Sequence, residues 1–133
     1  MKYVYPAVFE PAEEGGYNVS IPDIKGCRTC GDSLADAIEM AEDCIEMMLV
    51  DYEDEKKPVP SPSDIKDVEC GEGGIVSLVR ADTGEWRRQF STRSVKKTLS
   101  VPMWLNARAE DCNINFSQTL QEALCRKLGV AMR

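Results

Sequence analysis

Histidine is absent from this 133-residue chain, and its absence excludes several kinds of chemistry at once. Without an imidazole there can be no Ser–His or Cys–His nucleophile pair. A zinc site wants four ligands, yet the six cysteines supply a single CxxC, Cys27 and Cys30. Cys44, Cys70, Cys112 and Cys125 are singly spaced, with no second CxxC among them. A thioredoxin-like site would put its CxxC at a helix start after a βαβ pattern, which this is not. In an extended segment Cys27 and Cys30 point to opposite faces, so buried free thiols are the simplest reading. Neither a metal nor a cofactor is expected, and no residue is assigned a catalytic role. Long apolar runs are also lacking, so no membrane span is expected. No internal repeat is visible. The start, MKYVYPAVFEP, enters a strand without a signal peptide's apolar core or cleavage site, so the expected location is cytoplasmic.

What is present is a strong division of charge. Residues 1–92 hold nine Lys/Arg against twenty Asp/Glu, a net of −11, while residues 93–133 hold seven against three, a net of +4. An acidic chain would ordinarily argue against nucleic acid. Here the sign reverses, so the tail can meet phosphate while the front meets something basic. Acidic surfaces also simply keep proteins soluble.

Hydropathy patterning divides the chain at the same place. Residues 2–10 and 17–22 read as strands joined by a turn through Glu13–Gly16, a hairpin, and residues 27–30 can add a short third strand. Asp32 and Ser33 open a helix, with Ser33 and Asp36 at N-cap and N3. Leu34, Ala37, Ile38, Ala41, Ile45, Met48 and Leu49 recur at helical spacing, and Asp36, Glu39, Glu42, Asp43 and Glu46 take the remaining surface. Residues 51–74 are polar and proline-rich, an extended loop with little structure of its own. Residues 75–79 form a short apolar run, a strand returning to the sheet. The stretch 82–94 is one or two helical turns leading into a linker.

The last forty residues carry the most information. Val95, Lys97, Leu99 and Val101 alternate with Lys96, Thr98 and Ser100, the period of a strand with two unlike faces. Pro102 suits the first position of a helix running to about Cys112, with Leu105, Ala109 and Cys112 on one stripe. Asn115, with Gln118 three residues on, has capping-box spacing, and Phe116, Leu120, Ala123, Leu124 and Leu128 follow on one helical face up to Gly129. A lone strand and two short helices cannot satisfy their backbone or bury a core. Pairing strand to strand with a second copy solves both problems, and a two-stranded ribbon can enter the DNA major groove.

These residues carry a family resemblance. Residues 95–129 resemble a ribbon–helix–helix DNA-binding domain. The YPAVFE strand, the EGGYNVSIPDI strand and GCRTCGDS before an acidic helix resemble the N-terminal domain of HicB-type antitoxins. The resemblance implies an α+β chain in which a partial RNase H-like domain (1–81) and a linker (82–94) precede a ribbon–helix–helix domain (95–133) that dimerises through its strand. It implies an antitoxin that neutralises a small, basic, mRNA-cleaving HicA-type toxin and represses the shared operon by binding operator DNA. The homodimer could associate further.

By that resemblance, Lys96, Thr98 and Ser100 face the bases, and the N-terminus of the second helix, at Asn115, Phe116 and Ser117, clamps a phosphate. An ordinary exposed strand face would carry the same three residues, and Asn and Ser cap helices without any ligand. Two other functions stay open. One is a stand-alone repressor whose front domain binds a ligand or another protein. The other is a nuclease with a carboxylate-held metal, for which Glu10 and the helix acids are the candidates, although no catalytic set can be matched among them residue by residue.

Overall fold

The computed structural model describes residues 1–132; Arg133, the last residue of the expected third segment, lies outside the described residues. The chain divides into two compact units, Met1–Ser91 and Thr92–Arg133.

The first unit is built on the hairpin. Strand β1 (Lys2–Pro11) pairs antiparallel with β2 (Tyr17–Ser20), and β2 pairs with β3 (Arg28–Gly31). The fourth strand, β4 (Ile75–Asp82), runs antiparallel on the other side of β1, giving the order β3-β2-β1-β4. Helix α1 (Leu34–Asp54) covers one face of this sheet. Alternation in β1 sends Tyr5, Ala7 and Phe9 to that face, where they meet Val19, Val79 and Ala81 and the helix residues Ala37, Ala41, Ile45 and Leu49. Ser33 caps α1 by accepting from the Asp36 N–H at 3.1 Å, while the Asp36 carboxylate reaches back to the Asp32 N–H at 2.9 Å.

Two close approaches explain glycines. A Cβ on Gly31 would lie 2.4 Å from the Ala37 nitrogen, so glycine lets β3 meet the first turn of α1. Gly16 has φ +74° and would push a Cβ to 2.3 Å from the Gly31 oxygen, so the hairpin turn needs glycine twice over.

Several expectations are revised. Leu34 and Ile38 are exposed, since α1 turns its alanines rather than those residues toward the sheet. The helix continues to Asp54, past the point where the sequence turns polar, because Leu49 and Val50 are still buried there. The proline-rich loop is tied down: the Tyr5 hydroxyl donates to the Pro60 carbonyl at 2.5 Å, and Asp23 accepts from Ser63 N and Oγ at 2.9 and 2.6 Å. It also holds one 3-10 turn, Ile65–Asp67. Strand β4 runs to Asp82, three residues beyond the apolar run. The stretch read as linker, 82–94, contains helix α2 (Thr83–Phe90), capped by Asp82 and packed on α1 in the first unit.

The second unit holds α3 (Met103–Asp111) and α4 (Phe116–Leu128). Pro102 is the N-cap of α3 rather than its first helical residue. Asn115 caps α4, accepting from the Gln118 N–H at 3.0 Å. The Gln118 side chain donates onward to Glu122 at 3.2 Å, so only half of a capping box forms. Gly129 closes α4 in the left-handed region, φ +69°, with the Val130 N–H on the Cys125 carbonyl at 3.0 Å.

Candidate functional site

In the single chain, residues 91–102 form no strand, because a ladder needs a partner backbone. Lys96, Thr98 and Ser100 are exposed in this segment, and so are Val95, Leu99 and Val101 between them. Asn115, Phe116 and Ser117 lie together at the start of α4, all exposed. The Asn115 side chain satisfies Gln118, whereas Phe116 and Ser117 belong to the first helical turn, whose N–H groups have no acceptor within the helix. Both residue groups predicted to meet DNA lie exposed in the second unit, the first in a segment without strand structure and the second at a helix start. Basic residues accompany them: Arg93, Lys96 and Lys97 before α3, and Arg126 and Lys127 in the last turn of α4.

The same unit lacks an interior. Neither α3 nor α4 contains a buried residue. Trp104 is 63% exposed, Leu105 43%, Phe116 43% and Leu124 50%, although the last two belong to the apolar face of α4. Water around this much apolar surface is unfavourable.

The first unit offers a different surface. α1 carries Asp36, Glu39, Glu42, Asp43 and Glu46. Glu46 also has a structural duty, accepting from the Asp82 N–H at 3.1 Å, so the acidic face is not wholly given to solvent. Burial pushes the Glu46 carboxyl above its ordinary range; the Asp82 hydrogen bond opposes this, and the charges of Asp43, Glu42 and Glu85 add to it. Beside this face, Met40 and Met47 of α1 look toward Trp86 and Phe90 of α2, whose rings are 5.5 Å apart. Cys44 and the β3 residues Arg28 and Thr29 complete the groove. Sequence patterning missed it: Met40 and Met47 are seven apart and off the core stripe, and Trp86 and Phe90 are i, i+4 in a stretch read as one or two helical turns leading into a linker.

The expectation of two buried free thiols in the CxxC holds for only one of them, because the extended segment turns the other to its outer face. Cys27 is buried and Cys30 exposed. Cys27 lies instead against Cys44, its Sγ donating to the Cys44 sulfur at 3.3 Å. Burial and that hydrogen bond push the Cys27 thiol up to about 12, so it stays protonated. The carboxylates of a hypothetical nuclease are also apart. Glu10 pairs across with Asn18 on the sheet face opposite α1, where it accepts from the Gly71 N–H at 3.4 Å. No three Asp, Glu or Cys side chains among the described residues are grouped to hold a metal ion. No helix among them is long and apolar enough to cross a membrane.

Fold and surface together define a two-part protein: an acidic α+β unit, and a basic helical unit with no core of its own among the described residues. A family model described as "HicB_like antitoxin of bacterial toxin-antitoxin system" matches residues 5–124, across both units. The chain belongs to that family. It is 41% identical over 81 residues to Antitoxin HicB 1 of Photorhabdus laumondii, which covers 58% of this chain and 52% of that protein. It is 39% identical over 59 residues to Antitoxin HicB of Escherichia coli K12, covering 44% and 43%. The chain thus spans about half the length of these curated relatives. Among solved structures, a chain of a toxin–antitoxin complex from Streptococcus pneumoniae superposes with a TM-score of 0.62 at 26% identity, covering 96% of this chain and 99% of that one.

Proposed function

We infer that this chain is an antitoxin that binds and neutralises a small basic RNA-cleaving toxin through its first unit and represses its own operon through its second. The observation that carries the reading is the second unit's exposed apolar surface without a buried residue, set beside a first unit of opposite charge. A unit built this way is completed by a second copy. Pairing 95–101 with its counterpart satisfies the backbone, buries Val95, Leu99 and Val101 against the helices, and leaves Lys96, Thr98 and Ser100 from both chains on one face. That is the ribbon–helix–helix plan, with Asn115, Phe116 and Ser117 beside the DNA backbone. The first unit, in this reading a partial RNase H-like fold without catalytic carboxylates, acts by occlusion: it attracts a basic surface and keeps RNA from it.

The deciding experiment is co-expression with the product of the adjacent gene, followed by pull-down and growth rescue. A complex that restores growth supports the antitoxin role. No partner and no rescue, with operator binding intact, would reduce the protein to a stand-alone repressor. Loss of specific DNA binding in Lys96→Ala/Thr98→Ala, with the dimer retained, is the expected companion result; unchanged binding would sink the ribbon assignment.

A further inference from the structure

The groove between α1, β3 and α2 has a floor at Cys44, which packs on the core, and walls of side chains that the core does not use. Core packing on α1 is done by Ala37, Ala41, Ile45 and Leu49. Met40 and Met47 lie off that stripe and are 39% and 50% exposed. Across from them, Phe90 is 46% exposed, with Trp86 tilted against it. Methionine walls facing an aromatic pair make an adaptable apolar receptor for an inserted side chain.

Charge restricts what can fill it. Asp43 lines the groove itself, and Asp36, Glu39, Glu42 and Glu46 share its helix, with Glu85 on α2. Of the nearby cations, Arg87 is engaged with Asp54 at 2.9 Å and Glu53 at 3.9 Å, which leaves Arg28 and Arg88 against six carboxylates. Nucleic acid would be repelled here, and so would a second copy of the first unit, whose net charge is −11.

We propose that this groove is the docking site for a small basic protein, which seats one apolar side chain between Met40, Met47 and Phe90 and sets flanking lysines or arginines against the α1 carboxylates. The proposal rests on the antitoxin reading and locates its partner's contact. Charge supplies steering and orientation, and the buried apolar side chain supplies most of the affinity.

The test uses the full chain and the small basic protein encoded beside its gene. Met40→Arg and Met47→Arg should each weaken binding about thirtyfold or more, the size of an interface hot spot. Leu78→Arg makes the same charge change on the opposite sheet face, where Leu78 is 54% exposed, and should stay within about threefold of wild type. Cys44 gives a readout that needs no mutation. It lines the groove, so bound partner should slow its alkylation by iodoacetamide at least about tenfold, as a Cys44 sulfur buried under the partner requires, while exposed Cys30 and Cys70 keep their rates. If an arginine variant fails to fold, the wild-type labelling decides. Wild-type binding with unprotected Cys44 and undiminished variants overturns the groove and leaves the antitoxin reading intact. No binding by the wild type overturns both. Cys44 alkylation no faster in the free chain than in the complex also overturns the proposal.

Discussion

Single side chains set the limits of this fold more sharply than composition does. Gly31 has no room for a methyl group, because its Cβ would fall within 2.5 Å of the Ala37 backbone. Gly31→Ala should therefore cost about 3 kcal/mol by forcing β3 off α1, measured by urea denaturation; a loss below 1 kcal/mol would mean that the helix start adjusts freely. Tyr5 joins the core to the proline loop through its hydroxyl on the Pro60 carbonyl. Burial pushes its phenol up to about 12, with smaller contributions from Tyr3, Asp23 and Tyr52. Near pH 10 the unfolded chain begins to release this proton while the folded chain keeps it. The stabilisation is complete below pH 10 and is lost as the pH rises toward 12. Tyr5→Phe should flatten that alkaline fall in the urea midpoint, and an unchanged slope would assign it to other groups. Glu46 behaves in the same direction at the acid end. Its raised carboxyl means that charging it opposes folding, so Glu46→Gln, which can still accept from Asp82, should raise the melting temperature at pH 7 and not at pH 3. For charge reversal of the acidic face, Glu39 and Glu42 are the sites to use, since a lysine at 46 would also remove the Asp82 hydrogen bond.

Helices and strands were legible where local signals agreed. Ser33 and Asp36 mark the start of α1, Asn115 and Gly129 bracket α4, and the Gly15–Gly16 turn announces the hairpin. The signals failed where tertiary burial decides. Nothing local in 51–54 favours helix, yet α1 keeps going because its apolar side still has a sheet to cover. α2 was legible only as one or two helical turns before a linker, because its cap, Asp82, is also the last residue of β4, so strand and helix share a residue with no turn between them. Asp82 accepts from Gly84 N at 2.9 Å and Glu85 N at 3.4 Å. Desolvation opposes its charge, but these hydrogen bonds and nearby cations outweigh it and hold the carboxyl below its ordinary value. The contribution of this cap is present above pH 4 and lost on acidification. In the second unit, Asn115→Ala should cost about 1 kcal/mol of α4 stability, read by circular dichroism as a lowered melting temperature.

At the level of the whole molecule, the candidate site could be read only in part. The alternation in 95–101 is visible as a pattern, yet the single chain forms no strand there, because a strand needs a partner backbone that the chain itself does not supply. The groove was not visible at all, since its two walls come from α1 and a helix forty residues away. The charge division was visible from composition and has a measurable effect. On the proposed reading, operator affinity should fall steeply with salt, in proportion to the phosphates neutralised by the basic unit. Affinity for a basic protein partner should also weaken with salt, through slower association. Salt-independent operator binding would contradict a phosphate-contacting ribbon.

The extended segment after Ser91 has a consequence in time rather than in space. Every residue from 91 to 102 is exposed in the single chain, and Lys96 and Lys97 sit in its middle. A trypsin-like protease needs an extended, unpaired backbone to cut, so it can cleave this segment only while nothing pairs with it. If the proposed pairing with a second copy forms, it closes that window. The rate of cleavage at Lys96–Lys97 would then report how much of the protein is unpaired at any moment. As chain concentration falls, lifetime should fall with it, and cleavage would separate the acidic unit from the basic one in a single step.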